Sequence, residues 1–84
     1  MTLYDFLALS DNDRQTILWK DGTFLANYKT GFTCFSLYFI DGFFVEVETV
    51  DFNEGTSIKS ITAFNQGERL NPYLEFIDLQ RLFD

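Results

Sequence analysis

Glu46 and Glu48 are the side chains whose type and spacing come closest to a chemical site in this sequence. They stand two residues apart in a segment rich in aromatic and β-branched residues, so on a strand their carboxylates point to the same side. Paired carboxylates perform acid–base chemistry when their environments separate their pKa values, as in glycoside hydrolysis. No nucleophile or orienting partner is recognisable beside them, and the chain contains no histidine. We therefore expect no enzyme, and catalysis by the two glutamates is a minor alternative.

The patterns of residues that would indicate a metal site or a reactive thiol are also incomplete. Asp51, Asn53 and Gly55 have the spacing of the start of a calcium loop, but the length and the closing glutamate of such a loop are missing. Cys34 is the single cysteine. With no histidine to activate its thiol, we expect a small buried apolar residue and not a nucleophile. The sequence therefore predicts no metal site and no cofactor.

Length and charge restrict the classes of partner. Eighty-four residues, 46% of them apolar, can supply one hydrophobic core, so we assign residues 1–84 to a single domain. Thirteen acidic against six basic residues give a formal charge of −7, which disfavours binding to nucleic acid. The longest uncharged run, Thr30 to Ile40, is shorter than the roughly 20 residues of a membrane span. A lone cysteine and the absence of a signal-peptide pattern predict a cytoplasmic protein.

Residues 2–20 predict two short helices or one broken helix. Apolar residues at helical spacing stop at Ser10, and Ser10 with Asp13 resembles a capping box that opens a second helix. Gly22 is a plausible end of that helix. Trp19 borders its apolar stripe, and we expect the indole ring to fill the core between helix and sheet, with an exposed anchor as the minor alternative.

Beyond Gly22 the sequence changes to strand patterns. Strands are predicted at 23–29, 32–40, 43–50 and 56–65, separated by turn signals at Thr30-Gly31, Asp41-Gly42 and 51–55. Connections this short join antiparallel neighbours, so the sheet is a meander. Asn71-Pro72 predicts the cap and first turn of a closing helix. The fold class is α+β: N-terminal helices packed on a four-stranded antiparallel β-meander, with a short C-terminal helix.

The turns also predict which residues share a face of the sheet. A two-residue Asp41-Gly42 loop pairs Phe39 with Phe44, Leu37 with Glu46 and Phe35 with Glu48. A Thr30-Gly31 loop pairs Ala26 with Phe35 and Phe24 with Leu37. One face then holds Leu25, Cys34, Tyr38, Ile40, Phe43, Val45 and Val47, joined by Ile61 and Ala63. The other holds Phe24, Ala26, Tyr28, Phe35, Leu37, Phe39 and Phe44, interrupted by Glu46 and Glu48.

Two apolar faces raise the question of what covers the second one. Either the N-terminal helices cover one face and the C-terminal segment covers part of the other, or an aromatic surface stays free for a partner. Our leading hypothesis is a non-catalytic protein-interaction module that self-associates, as a homodimer, through the second face. The proposed partner-binding residues are Phe35, Phe39, Phe44, Glu46 and Glu48. The alternative is an immunity-type or inhibitor protein that binds a basic partner through the acidic side of this face, and binding of a small ligand ranks below both.

Four segments resemble a group of small uncharacterised bacterial proteins. They are Leu3-Tyr4-Asp5-Phe6, Gly22-Thr23-Phe24-Leu25-Ala26, the stretch from Leu37 to Val47, and Asn71-Pro72-Tyr73-Leu74-Glu75. These motifs are a helix start, a hairpin turn and a helix cap. The resemblance implies a bacterial, single-domain protein, and it implies no activity, cofactor or site residue.

Overall fold

A computed structural model of the chain describes residues 1–52, 55–65 and 68–73. Two helices, α1 and α2, precede four strands, β1 to β4, and a 3₁₀ turn. The bounds are Leu3–Leu7 and Asp11–Asp21 for the helices, Thr23–Thr30, Thr33–Ile40, Phe43–Phe52 and Gly55–Phe64 for the strands, and Glu68–Tyr73 for the 3₁₀ turn. The strands form one antiparallel sheet in the order β1-β2-β3-β4. The α+β fold class is therefore confirmed.

Side-chain caps explain where the helices begin. Thr2 and Asp5 form a complete capping box at α1, because the Thr2 amide donates to the Asp5 carboxylate at 2.9 Å and the Asp5 amide donates to the Thr2 hydroxyl at 3.1 Å. These hydrogen bonds from Thr2 lower the pKa of the Asp5 carboxyl. At α2 the Ser10 hydroxyl accepts from the Asp13 amide at 3.2 Å, which confirms Ser10 as the cap. Gly22 ends the helix, as the sequence predicts.

Arg14 joins the two helices. Its Nε donates to the carbonyl oxygen of Phe6 at 3.2 Å, and its Nη2 donates to that of Leu7 at 2.6 Å. Both carbonyls belong to the last residues of α1, where a helix leaves acceptors without intrahelical partners. The short first helix is thereby fastened to the second one.

The central hairpin has the predicted register. Asp41 and Gly42 both have positive φ angles, 48° and 93°, as a type I′ turn requires. The three cross-strand pairs of interest are found as predicted: Phe39 with Phe44, Leu37 with Glu46, and Phe35 with Glu48.

The loop of the first hairpin lies one residue later than predicted, which moves each cross-strand partner by two residues. Its loop is Gly31-Phe32 and not Thr30-Gly31, since Thr30 and Thr33 form the last pair. Gly31 has a φ of 63° and stands first in the loop, the position that a type II′ turn gives to glycine. The pairing of Ala26 with Phe35 is therefore wrong, and Ala26 lies opposite Leu37. A shift of two leaves Ala26 on its predicted face, because the side-chain period of a strand is two.

A bulge in β1 corrects a second part of the prediction. Phe24 pairs with Tyr38 and Ala26 pairs with Leu37, so Leu25 is an extra residue between the two pairs. The extra residue exchanges the faces of Phe24 and Leu25. Leu25 packs in the cluster of Ala26 and Leu37, whereas the Phe24 ring contacts Tyr38. The pairing of Phe24 with Leu37 is wrong because the shifted loop alone would place Phe24 opposite Phe39, and the bulge moves it to Tyr38.

Each face of the sheet has its own core. The helices cover the first face, and the buried residues there are Phe6, Leu18, Ile40, Phe43, Val45 and Val47. The 3₁₀ turn covers part of the second face, and the buried residues there are Ala26, Leu37, Phe44, Leu70 and Tyr73. Of the two alternatives that the sequence leaves open, the structure favours the one in which a chain segment covers part of the second face.

The 3₁₀ turn corrects the predicted closing helix. Asn71 is not its cap, because the turn already begins at Glu68 and contains Pro72. Pro72 lacks an amide hydrogen, and a short 3₁₀ segment tolerates a proline because it has few backbone hydrogen bonds to lose. The part of the predicted helix that follows Tyr73 lies outside the described residues.

Candidate interaction surface

A buried hydrogen bond connects the 3₁₀ turn to the middle of the sheet. The phenol of Tyr73 donates to Oε2 of Glu46 at 2.8 Å, across 27 positions of sequence. Glu46 keeps 7% of its surface exposed and Tyr73 keeps none. Burial raises the pKa of the Tyr73 phenol, and the hydrogen bond and the charge of Glu46 raise it further. The Tyr73 hydroxyl is thus held in its protonated, donating form.

Aromatic and aliphatic side chains surround this hydrogen bond. The Tyr28 ring meets the Tyr73 ring edge-on, with centroids 5.1 Å apart, and lies stacked on Phe35 at 4.9 Å. Phe39 meets Phe44 edge-on at 5.3 Å. Edge-on and offset ring contacts are the favourable geometries for aromatic pairs. The second face is therefore a packed aromatic layer, and its Phe44 is buried to 1% exposure.

Glu48 lies on the same side of β3 in a different environment. Its Oε1 accepts from the Ser60 hydroxyl at 3.1 Å, and its Oε2 lies 3.4 Å from Nζ of Lys59. Both partners come from β4, the neighbouring strand. The carboxylate is partly buried, and it is engaged by these two side chains.

The structure brings the five predicted site residues together on one face. It does not leave all of them available to a partner, because Phe44 and Glu46 are buried under the chain itself. Phe35 and Phe39 are partly buried. The described residues therefore do not form a free aromatic face with two exposed glutamates.

A second group of rings is exposed on the helix-covered side of the sheet. Trp19 and Phe24 are 53% and 52% exposed. They flank Tyr38. The centroid of the Tyr38 ring lies 5.5 Å from that of the Trp19 ring and 5.6 Å from that of the Phe24 ring. We call these three side chains the aromatic patch. Tyr38 is the partly buried centre of the group, and burial raises the pKa of its phenol.

The sequence prediction missed this patch for two reasons. Trp19 is not the expected plug in the core, because Leu18 takes the buried position of α2 and its neighbour one residue on is turned about 100° around the helix axis. Phe24 reaches this side only through the bulge at Leu25. The adjacent Lys20 and Asp21, which are exposed, add one charge of each sign beside the patch.

The described residues contain no group of three or more His, Cys, Asp or Glu side chains placed to hold a metal ion. Cys34 is a free thiol, partly buried, with its sulfur 3.9 Å from the Ser36 hydroxyl. In the part of the chain that the structure describes, no helix is long and apolar enough to cross a membrane.

Comparison with protein-family models, curated protein sequences and solved structures finds no match to this chain.

Proposed function

We propose that this protein is a non-catalytic protein-interaction module that pairs with a second copy of itself through the aromatic patch. The observation that supports this proposal is the exposure of two large rings, Trp19 of α2 and Phe24 of β1, beside a sheet whose other large side chains are mostly buried or partly buried. Tryptophan and tyrosine are enriched among the residues that dominate binding energy at protein interfaces. A cytoplasmic location belongs to the same proposal, and the single cysteine supports it.

The energy available at the aromatic patch is large enough to matter. A side chain of this size presents about 150–250 Å², so about half of it, at roughly 25 cal/mol per Å², corresponds to about 2 kcal/mol for each ring. When two copies meet through this patch, the Trp19 and Phe24 rings of both copies are buried. This gain must exceed the entropy cost of association and the repulsion between two chains of charge −7.

The charges beside the patch favour a second copy as the occupant. In a two-fold symmetric contact both chains use the same surface, so a residue of one chain lies near the neighbours of the same residue in the other chain. Lys20 and Asp21 follow Trp19 directly and are exposed. Lys20 of one chain can then pair with Asp21 of the other, which a contact between two all-acidic surfaces would not allow.

The test is sedimentation velocity over a wide concentration range with the full chain. We expect the native sequence to form a dimer and Phe24→Ser to shift it to monomer. Phe32→Ser is the matched control, because Phe32 is 79% exposed in the loop between β1 and β2, where no ring contact is found for it among the described residues. The Phe32→Ser chain should dimerise like the native one.

Two outcomes would contradict the proposal. One is a native chain that stays monomeric at every concentration. The other is an equal effect of Phe24→Ser and Phe32→Ser, which would indicate general hydrophobic association and no defined surface. Thermal unfolding of both variants establishes that they are folded when their mass is measured.

The inhibitor alternative has less support from the geometry. The two glutamates that this alternative requires do not form an open acidic surface, since Glu46 is buried with Tyr73 and Glu48 forms an ion pair with Lys59. The net charge of −7 still favours a basic partner. Binding to such a partner weakens as salt is added, whereas pairing of two chains of like charge does not.

A further inference from the structure

The aromatic patch lies in the corner between the helix layer and the sheet. Trp19 belongs to α2, whereas Phe24 and Tyr38 are cross-strand partners on β1 and β2. The Trp19 ring is inclined by 47° to the Tyr38 ring, and the Phe24 ring is inclined to it by 69°. The three rings therefore do not stack into one flat layer. Trp19 and Phe24 each keep about half of their surface exposed, so a ligand can reach them from solvent.

The negative end of a helix is beside these rings. Trp19, Lys20 and Asp21 are the last three residues of α2. Carbonyl groups in the last turn carry the negative end of the helix dipole, which favours a cation. Lys20 and Asp21 offset each other, and the helix end and the formal charge of −7 on the chain remain. The charges around the aromatic patch therefore favour a positively charged ligand over a negative one.

The ring faces indicate which kind of cation fits. The faces of Trp, Tyr and Phe rings attract cations through their quadrupole, and Trp is the most effective of the three. A primary ammonium group brings N–H donors, and leaving these without acceptors against a ring face is unfavourable. A quaternary ammonium group has no N–H donor, and its methyl groups can pack directly on the rings. The patch is therefore better suited to a quaternary ammonium group than to a lysine side chain.

The geometry points to a binding site for a small quaternary ammonium compound at the aromatic patch, with Tyr38 at its centre and Trp19 and Phe24 at its sides. The three rings belong to one chain, so the site needs no second copy. The same rings form the contact of the proposed dimer, and the ligand and the second copy therefore exclude each other. This competition rests on the proposed function. A bound cation shifts the chain toward the monomer, because it binds the form in which the patch is open.

The fluorescence of Trp19, the single tryptophan, can report on this site in the full chain. The chain is titrated with tetramethylammonium chloride at constant ionic strength, at a concentration at which it is monomeric. We expect a saturable change of emission with a dissociation constant on the order of millimolar. tert-Butanol, a neutral molecule of similar size, should bind at least about tenfold more weakly, and so should methylammonium, which keeps its N–H donors. Absence of a saturable change, or equal affinity for the three compounds, would overturn the site.

Substitution of one ring tests the location of the site. Phe24→Leu keeps an apolar side chain and removes the π system, so it should weaken tetramethylammonium binding about two- to fivefold. Phe32→Leu is the matched control, because Phe32 is 79% exposed in the loop between β1 and β2, and it should leave binding unchanged. An equal effect of the two substitutions would overturn the assignment to the aromatic patch.

The two charges beside the patch should act in opposite directions. At low salt, Asp21→Asn should weaken tetramethylammonium binding and Lys20→Gln should strengthen it, each on the order of twofold. Both residues are exposed, so neither substitution removes a buried contact. Binding of the neutral tert-butanol should respond to neither. Changes of the same sign in the two variants would contradict a cation at this position.

Sedimentation velocity separates the cation site from the dimer. Saturating tetramethylammonium chloride should raise the dissociation constant of the dimer at least about tenfold relative to sodium chloride at equal ionic strength. A dimer that ignores the bound cation would overturn the shared site. A chain that binds the cation and stays monomeric at every concentration would overturn the dimer and support the cation site. A dimer without cation binding would do the reverse.

Discussion

Arg14 of α2 contacts Phe6 of α1 in two ways at once. Its Nε donates to the Phe6 carbonyl oxygen, and its guanidinium carbon lies 6.0 Å from the centroid of the Phe6 ring. Phe6 is fully buried and its ring packs on Phe43 at 5.5 Å. One charged side chain thereby closes the end of the first helix and covers the ring that this helix inserts into the core.

Arg14→Met should therefore lower the free energy of unfolding by about 1–3 kcal/mol, because two carbonyl groups lose a charged donor while the aliphatic part of the side chain is kept. Urea unfolding followed by circular dichroism measures the change. Asp11→Asn is the control, since Asp11 pairs with Arg14 at 3.5 Å from an exposed position, and its loss should cost less than about 1 kcal/mol. Equal effects of the two substitutions would show that the ion pair, and not the contact with α1, is what stabilises this end.

Alkaline pH should destabilise the fold through Tyr73. Its pKa is raised in the folded chain above the ordinary value of about 10, so the unfolded chain loses this proton first. The stabilising contribution is complete below about pH 10, and it falls by about 1.4 kcal/mol per pH unit as pH rises above that value. We expect the unfolding free energy of the native chain to fall more steeply than that of Tyr73→Phe in this range.

Tyr4→Phe controls for the general effect of removing a tyrosine. Tyr4 is 79% exposed, so this variant should follow the slope of the native chain. The other ionisable groups are shared by the native chain and the variants, and they cancel in the comparison. If Tyr73→Phe and Tyr4→Phe gave the same slope, the Tyr73 phenol would not be held protonated by its surroundings.

The Asp41-Gly42 turn gives a prediction about local strain. Gly42 has a φ of 93°, a region that side chains with a Cβ rarely adopt, so Gly42→Ala should destabilise the chain by about 1–2 kcal/mol. Gly55 is the matched control, because its backbone is not in that region and a Cβ there meets open space. Thermal unfolding should show a change within about 0.5 kcal/mol for Gly55→Ala. A similar loss at both sites would mean that glycine is not required by the turn.

Salt should strengthen the proposed dimer. Each chain carries a formal charge of −7, so their mutual repulsion decreases as the Debye length shortens from about 10 Å at 0.1 M salt to about 3 Å at 1 M. Sedimentation at low and high sodium chloride should show a smaller dissociation constant at high salt. A dimer that weakens with salt would indicate that attraction between opposite charges, and not between the aromatic patches, holds the two copies together.

The sequence was sufficient for the central part of the sheet, and the reason is chemical. Asp41-Gly42 permits few backbone conformations, and that one turn determines the pairing of Phe39 with Phe44 and of Leu37 with Glu46. The alternation of side chains then assigns the two faces. Ser10 is equally informative, because a hydroxyl at that position has a defined acceptor role at the start of α2.

The candidate surface was not predictable in the same way. A bulge at Leu25 has no sequence signature beyond its context, and it decides the face of Phe24. Trp19 is exposed although its size suggests the core, because Leu18 already fills the buried position of α2. The buried Glu46 accepts a hydrogen bond from Tyr73, which lies 27 positions away, and no pattern of spacing links the two.

The bulge makes the surface of this protein depend on the backbone geometry of one strand. If the same residues formed a regular strand, Leu25 would lie opposite Tyr38, and Phe24 would lie opposite Phe39 on the other side of the sheet. Trp19 and Tyr38 would then lose the third ring of the patch, although the charge and the aromatic content of the chain would be unchanged. What this edge strand presents to a partner is therefore determined by one local irregularity of its backbone and not by its composition.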